Sequence, residues 1–196
     1  MTTNKMKLVF ATHNVHKHAE VKQLLPAHIE LLSLSDIGCT EDIEETGSTL
    51  EENAMIKARY VLNNYGYNCF ADDSGLEIDV LDGAPGVYSA RFAGPEKSNS
   101  ANIKKVWEKL KGKSSTAAQF RTVIGVCIDG KEWQCEGKVR GHMTREKRGE
   151  KGFGYDPIFV PEGHTQTFAE LGDEIKNKIS HRARAIHEFL ASISAY

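Results

Sequence analysis

Apolar residues fall into short blocks separated by polar, glycine-rich stretches, and the period of each block predicts its element. Leu8-Val9-Phe10-Ala11 is a continuous apolar run and predicts a buried strand. The polar loop Thr12-His13-Asn14-Val15-His16-Lys17 follows, and then Ala19, Val21, Leu24 and Leu25 predict a helix that stops near Pro26. Strand, polar loop and helix in that order make a natural phosphate seat, because free N–H groups and the helix dipole favour an anion at the helix amino terminus. Ser48 with Glu51 forms a capping-box pattern, and Leu50, Ala54, Ala58, Val61 and Leu62 repeat at helical spacing until Asn63, Asn64 and Gly66.

Further along, Cys69-Phe70-Ala71 predicts a strand running into a turn at Asp72-Asp73-Ser74-Gly75, with a second strand over residues 76–81. Residues 101–110 read as a short amphipathic helix. Residues 119–128 and 132–139 alternate apolar with other positions, and Asp129-Gly130 joins them into a long antiparallel hairpin. Ile158-Phe159-Val160 predicts another strand, and Ser180 caps a last helix whose buried stripe is Ile186, Phe189, Leu190 and Ile193. The order of elements is that of an α/β protein, and no repeat or long linker divides residues 1–196, so a single domain is expected.

Composition narrows the functional classes. The 196 residues, 40% of them hydrophobic, suit one globular domain with a sizeable core. A net charge of −2 argues against nucleic acid or an anionic membrane as partner. The Lys- and Arg-rich stretch at residues 138–151 reads as a solvated loop, with RNA contact as the rival reading. Four cysteines without a C-x-x-C pair, no apolar run near the length of a membrane span, and only four apolar residues after residues 1–7 point to a cytoplasmic protein.

The polar loops supply one basic set, Lys17, Lys176, His181 and Arg182, and one acidic set, Glu44, Glu45, Asp72 and Asp73. Opposite sets on one rim suit a metal-bound polyphosphate: Mg²⁺ prefers carboxylate oxygens, and Lys and Arg neutralise phosphate oxygens that the metal leaves uncovered. A remaining carboxylate can deprotonate water, which makes a phosphoanhydride hydrolase. Plainer readings stand beside this one, since acids at residues 41–45 suit a solvated loop and Asp72-Asp73 suits a turn. His13, His16 and His18 lack the spacing of a zinc site, and no Walker A sequence is present.

The motifs together resemble the non-canonical purine nucleoside triphosphate pyrophosphatase family, which acts on inosine and xanthosine triphosphates. The matching stretches are Ala11-Thr12-His13-Asn14 with Lys17, Glu44-Glu45-Thr46-Gly47 with Glu52-Asn53-Ala54 and Lys57-Ala58, Ala71-Asp72-Asp73-Ser74-Gly75-Leu76, Gly83-Ala84-Pro85-Gly86-Val87-Tyr88-Ser89-Ala90-Arg91, Gly152-Phe153-Gly154-Tyr155-Asp156-Pro157-Ile158-Phe159, and Lys176 with Ile179-Ser180-His181-Arg182. The resemblance implies an elongated mixed β-sheet with flanking helices, two lobes around a central cleft, and a homodimer. It implies Mg²⁺-dependent hydrolysis of ITP, dITP and XTP to the monophosphate and pyrophosphate. It assigns the triphosphate to Thr12, His13, Asn14, Val15, His16 and Lys17, the metal to Glu44 and Asp73, and water activation to Asp73. Ser74 then contacts substrate, Phe153 lies against the purine, Gly154, Tyr155 and Asp156 shape the base pocket, and Lys176, His181 and Arg182 complete the nucleotide site. The chain departs from the family pattern at His13, where glycine is common. A sister pyrophosphatase for modified pyrimidine nucleotides and a non-catalytic nucleotide- or RNA-binding module are the competing readings.

Overall fold

Six strands form one mixed sheet in the order β2-β1-β3-β4-β5-β6. They are β1 (Met6–Phe10), β2 (Ile29–Leu32), β3 (Cys69–Ile78), β4 (Ala117–Ile128), β5 (Lys131–Met143) and β6 (Phe159–Pro161). The helices are α1 (Val15–Leu24), α2 (Leu50–Tyr65), α3 (Asn99–Leu110), α4 (Phe168–Leu171), α5 (Asp173–Ile179) and α6 (His181–Ser194). This computed structural model describes residues 5–194; residues 1–4, part of the segment read for an export signal, lie outside them. Among the described residues no helix is long and apolar enough to cross a membrane.

β1 pairs in parallel with β2, Met6 opposite Ile29, and with β3, Val9 opposite Cys69. Parallel neighbours need crossover connections, which α1 and α2 supply. β5 and β6 run antiparallel, with Met143 opposite Phe159. The β4–β5 hairpin turns on Asp129 and Gly130, at φ 49° and 76°, the two positive values that a tight hairpin of matching twist requires.

The chain divides into two compact units, one holding β1 through Asp73, Thr122–Gly137 and α6 from Ala185, the other Ser74–Arg121 and Lys138–Arg184. In the first, Val21 of α1 and Phe189 of α6 join Leu8, Phe10, Phe70, Ile124 and Val126 in one apolar cluster, while Met55, Ala58 and Val61 of α2 join Val9, Ala11 and Cys127 in another. In the second, Leu76, Ile78, Ile103, Val106, Phe120, Phe159 and Phe168 form the core, with the Phe120 and Phe159 rings edge to face at 4.7 Å.

Three expectations are corrected. Thr49, not Ser48, caps α2, its Oγ1 accepting from the Glu52 N–H at 3.1 Å; Ser48 instead donates its N–H and hydroxyl to the Glu52 carboxylate. Asp72-Asp73-Ser74-Gly75 is no turn: β3 runs through it without a break, and residues 76–78 continue the same strand. Turn-forming residue types yield here because both carboxylates find partners on α1 and α2. β4 is buried at every position from Thr122 to Ile128, so the alternation predicted for its second half is absent; apolar clusters on both faces of this part of the sheet remove the solvent side.

Candidate active site

The loop after β1 is held by its own side chains. Thr12 Oγ1 accepts the Asn14 N–H at 3.1 Å, and Asn14 caps α1 by accepting the N–H groups of His16 (3.0 Å) and Lys17 (3.2 Å). Val15 stands 73% exposed. The Lys17 side chain turns inward and donates to Asp72 Oδ1 at 3.1 Å. His13 Nε2 lies 2.9 Å from the Glu41 carbonyl oxygen.

α2 brings two polar side chains to the same unit. Asn53 and Lys57, four residues apart, sit on its buried face among Ala54 and Ala58. Asn53 Oδ1 accepts the Gly47 N–H at 2.8 Å while its Nδ2 donates to Asp73 Oδ2 at 3.1 Å. A Cβ on Gly47 would lie 2.6 Å from Asn53 Oδ1, so only glycine lets the acidic loop approach so closely. The Lys57 ammonium donates to the Asp72 carbonyl at 2.7 Å and to the Glu45 carboxylate.

Glu45, Asp72 and Asp73 thus surround the ammonium groups of Lys17 and Lys57, three acids about two lysines. The pKa values separate accordingly. Burial pushes Asp73 up, and the nearby lysines only partly oppose it. Burial also pushes Glu45 upward, but Lys57 and Lys17 together outweigh that and hold the carboxyl below its usual range. Lys57 is drawn down by burial and further up by Asp73, Glu45 and Asp72, ending above its ordinary value. Two carboxyls driven apart in this way are the usual arrangement of an acid–base site.

The family resemblance implied the metal at Glu44 and Asp73. Glu44 is exposed and, among the described residues, makes no hydrogen bond or ion pair, while its neighbour Glu45 enters the group with Lys57. Among the described residues no three His, Cys, Asp or Glu side chains form a ready metal cage. The donors present are hard carboxylate oxygens, which suits a cation of the Mg²⁺ type, held by one or two carboxylates together with water and substrate phosphates.

The second unit gathers the remaining predicted residues. Asp156 Oδ2 accepts the Phe153 N–H at 2.9 Å and the Lys176 ammonium at 2.6 Å, and both charged side chains are almost wholly buried. Lys176 Nζ stands 4.6 Å from the Phe153 ring centre and Arg182 Cζ 5.8 Å. Arg182 donates to Ser74 Oγ at 3.1 Å, and the His181 ring stacks on Phe120 at 4.7 Å. Ser180 Oγ accepts the Ala183 N–H at 3.2 Å, as predicted for the start of α6. Gly154 takes φ 61°, and the buried Tyr155 hydroxyl donates to the Ser89 carbonyl at 2.7 Å, which makes Tyr155 part of the wall of this region.

Sequence reasoning gave no role to Asn53 or Lys57. The signal was there: an amide and an ammonium at i and i+4 on the apolar stripe of a helix must have buried partners.

A model of the Ham1 family matches residues 8–192 of this chain. A Christiangramia forsetii protein described as a dITP/XTP pyrophosphatase is 58% identical over 96% of this chain and 100% of its own. A Bacillus subtilis protein of the same description is 49% identical, over 95% and 96%. The Staphylococcus aureus Ham1 protein structure superposes with a TM-score of 0.88 at 40% identity, covering 96% of this chain and 98% of that one. A Coxiella burnetii HAM1 protein gives 0.89 at 40% identity, covering 97% and 100%. With matching motifs, sheet and sequence over nearly its whole length, the chain belongs to the Ham1 family.

Proposed function

We propose that this protein is a nucleoside triphosphate pyrophosphatase that cleaves the deaminated purine nucleotides ITP, dITP and XTP between the α and β phosphates, with Mg²⁺ as cofactor, and so clears them from the nucleotide pool. The observation that carries this reading is Asp73: a buried carboxylate with a raised pKa, held by Asn53 in a group with more acids than lysines, in a chain whose relatives are described as dITP/XTP pyrophosphatases. A general base works best with a pKa near the working pH, and burial moves Asp73 in that direction.

Asp73 accepts the proton of the attacking water. Thr12, His13, Asn14, Val15, His16 and Lys17 receive the triphosphate, with the Lys17 ammonium, held beside Asp72, as its positive charge. Glu44 and Asp73 hold the metal through their hard carboxylate oxygens. When bound, Mg²⁺ neutralises phosphate charge and lowers the pKa of coordinated water. Ser74 contacts the substrate beside Asp73. Phe153 lies against the purine, with Gly154, Tyr155 and Asp156 shaping its surroundings and Lys176, His181 and Arg182 completing the base site. Hypoxanthine and xanthine present a carbonyl acceptor at position 6 and an N–H at position 1, where adenine presents a donor and a bare acceptor. A guanidinium such as Arg182 donates to the 6-carbonyl, whereas at position 6 of adenine it meets another N–H donor. Residues 1–196 are read as one pyrophosphatase domain, working as a homodimer in the cytoplasm, where the free cysteines stay reduced.

The test is pyrophosphate release from ITP, XTP, dITP, GTP and ATP side by side, with Mg²⁺ and then with EDTA. Mg²⁺-dependent release confined to the deaminated purines is the expected result. Equal release from all five overturns the base-reading assignment, and release from none overturns the pyrophosphatase reading.

A further inference from the structure

One side chain ties the loop after β1 to the acidic loop. His13 Nε2 lies 2.9 Å from the carbonyl oxygen of Glu41, and since a carbonyl only accepts, Nε2 carries the hydrogen. Either charge state of the ring can make this bond, the neutral one in its Nε2–H tautomer.

Glu41 is itself clamped. Its Oε1 accepts the Tyr65 hydroxyl at 2.6 Å and the Tyr60 hydroxyl at 2.7 Å, and its Oε2 accepts the Thr40 N–H at 3.0 Å. Tyr65 and then Tyr60 hold the Glu41 carboxyl down at about 2, so it remains an acceptor across the working pH range. Both tyrosines stand on the carboxyl-terminal half of α2, the helix that presents Asn53 and Lys57 to Asp73. Asn53 in turn fixes Gly47 at the far end of the acidic loop. Residues 41–47 are therefore pinned to α2 at both ends, and His13 adds a pin from the loop that precedes α1.

We propose that His13, besides its place among the residues that receive phosphate, has a positioning role: its bond to the Glu41 carbonyl couples residues 12–17 to residues 41–45 and so sets the groups that receive phosphate against the carboxylates that hold the metal. This rests on the pyrophosphatase reading. Glu41 and Glu45 are four residues apart, so only a few backbone dihedrals separate a displacement at one from the position of the other. The bond is exposed to solvent, so its effect is modest and falls on binding, not on proton transfer at Asp73.

The experiment compares wild type, His13→Ala, His13→Gln and the Tyr60→Phe, Tyr65→Phe pair by two readouts: KM and kcat for Mg-ITP, and backbone amide hydrogen exchange over residues 41–47 without substrate. In His13→Ala, KM rises about five-fold, the size of one lost hydrogen bond, with kcat within about two-fold, and exchange over residues 41–45 accelerates. The amide of His13→Gln can donate to the same carbonyl and restores both values. The tyrosine pair reproduces the His13→Ala change, and combining them adds less than the sum. Unaltered exchange in His13→Ala overturns the proposal, including where KM rises, since the change then comes from the phosphate contact of His13 alone and not from coupling of the loops; so does a His13→Gln variant whose exchange is that of His13→Ala. If the wild type releases no pyrophosphate from any purine triphosphate, the pyrophosphatase reading fails, and the exchange measurement still decides whether His13 couples the loops.

Discussion

Replacing Lys57 with methionine keeps most of the side-chain volume and removes the ammonium from among Glu45, Asp72 and Asp73. Lys57 is only 8% exposed, and its loss removes a positive charge that acts on all three carboxylates. Breaking a buried pair from one side costs about 3–5 kcal/mol. Because the Glu45 side chain keeps 29% exposure, water screens part of the loss, and we expect about 2–3 kcal/mol. For a chain of this size that corresponds to a Tm lower by about 5–10 °C. The pH dependence has a definite sign. The raised pKa of Lys57 gives stability that is full below the unfolded ammonium value of about 10.4 and is lost as pH rises through the folded one. The lowered pKa of Glu45 gives stability that is full above the unfolded value of about 4.3 and is lost as pH falls through the folded one. Between those limits the wild type has the full benefit, whereas the variant relieves its repulsion by taking up a proton as the medium becomes acid. Its deficit is therefore largest near neutrality and shrinks toward about pH 4–5. Urea unfolding at pH 8, 7 and 5 of wild type, Lys57→Met, Asp73→Asn and the double variant reads this directly, and Asp73→Asn should recover about 1 kcal/mol or more in the Lys57→Met background. Equal midpoints at pH 7, or a deficit independent of pH, would refute the electrostatic account of this group.

Asp73→Asn alone should be at least as stable as wild type at pH 7, since a carboxyl whose pKa burial raises loses stability as pH climbs through it, yet lose pyrophosphate release by a factor of about 10²–10⁴; retained turnover removes Asp73 from the role of base. Gly47→Ala forces a Cβ to within 2.6 Å of Asn53 Oδ1 and Glu52 Cβ, which should cost about 1–3 kcal/mol in urea unfolding and lower turnover by shifting Asn53 off Asp73. A variant as stable and as active as wild type would show that the contact is not needed. Asp156→Asn removes the carboxylate charge paired with the buried Lys176 ammonium and should destabilise by about 3 kcal/mol, measured by thermal denaturation; a shift within error sinks that pairing as a structural element.

Much of the local structure could be read from residue order. The apolar run at residues 8–11, the helical spacing from Leu50 to Leu62 and the Asp129-Gly130 turn each carry a short-range signal, and each became the expected element. The helix cap moved by one residue, from Ser48 to Thr49, because both are competent caps and the geometry of Glu52 chose between them. The candidate site was legible as residue types in two sets, but not as pairs. That Glu45 meets Lys57 while Glu44 faces outward, and that Lys176 meets Asp156, involve partners 12 and 20 residues apart. Asn53 and Lys57 were visible as polar interruptions of an apolar stripe, with nothing in the chain order to say what they would touch.

The sequence by itself determined the α/β class, the strand-loop-helix seat ahead of α1 and the polar residues from which a phosphate and metal site can be built, since these follow from hydrophobic period, capping and residue chemistry within a few positions. Only the tertiary structure decided that Asp72 and Asp73 lie in mid-strand. Local preference read them as a turn, and a buried carboxylate is costly until a partner arrives. Those partners, Lys17, Asn53 and Lys57, come from two helices distant in the chain, and their arrival is what turns an unfavourable pair of acids into an ordered group.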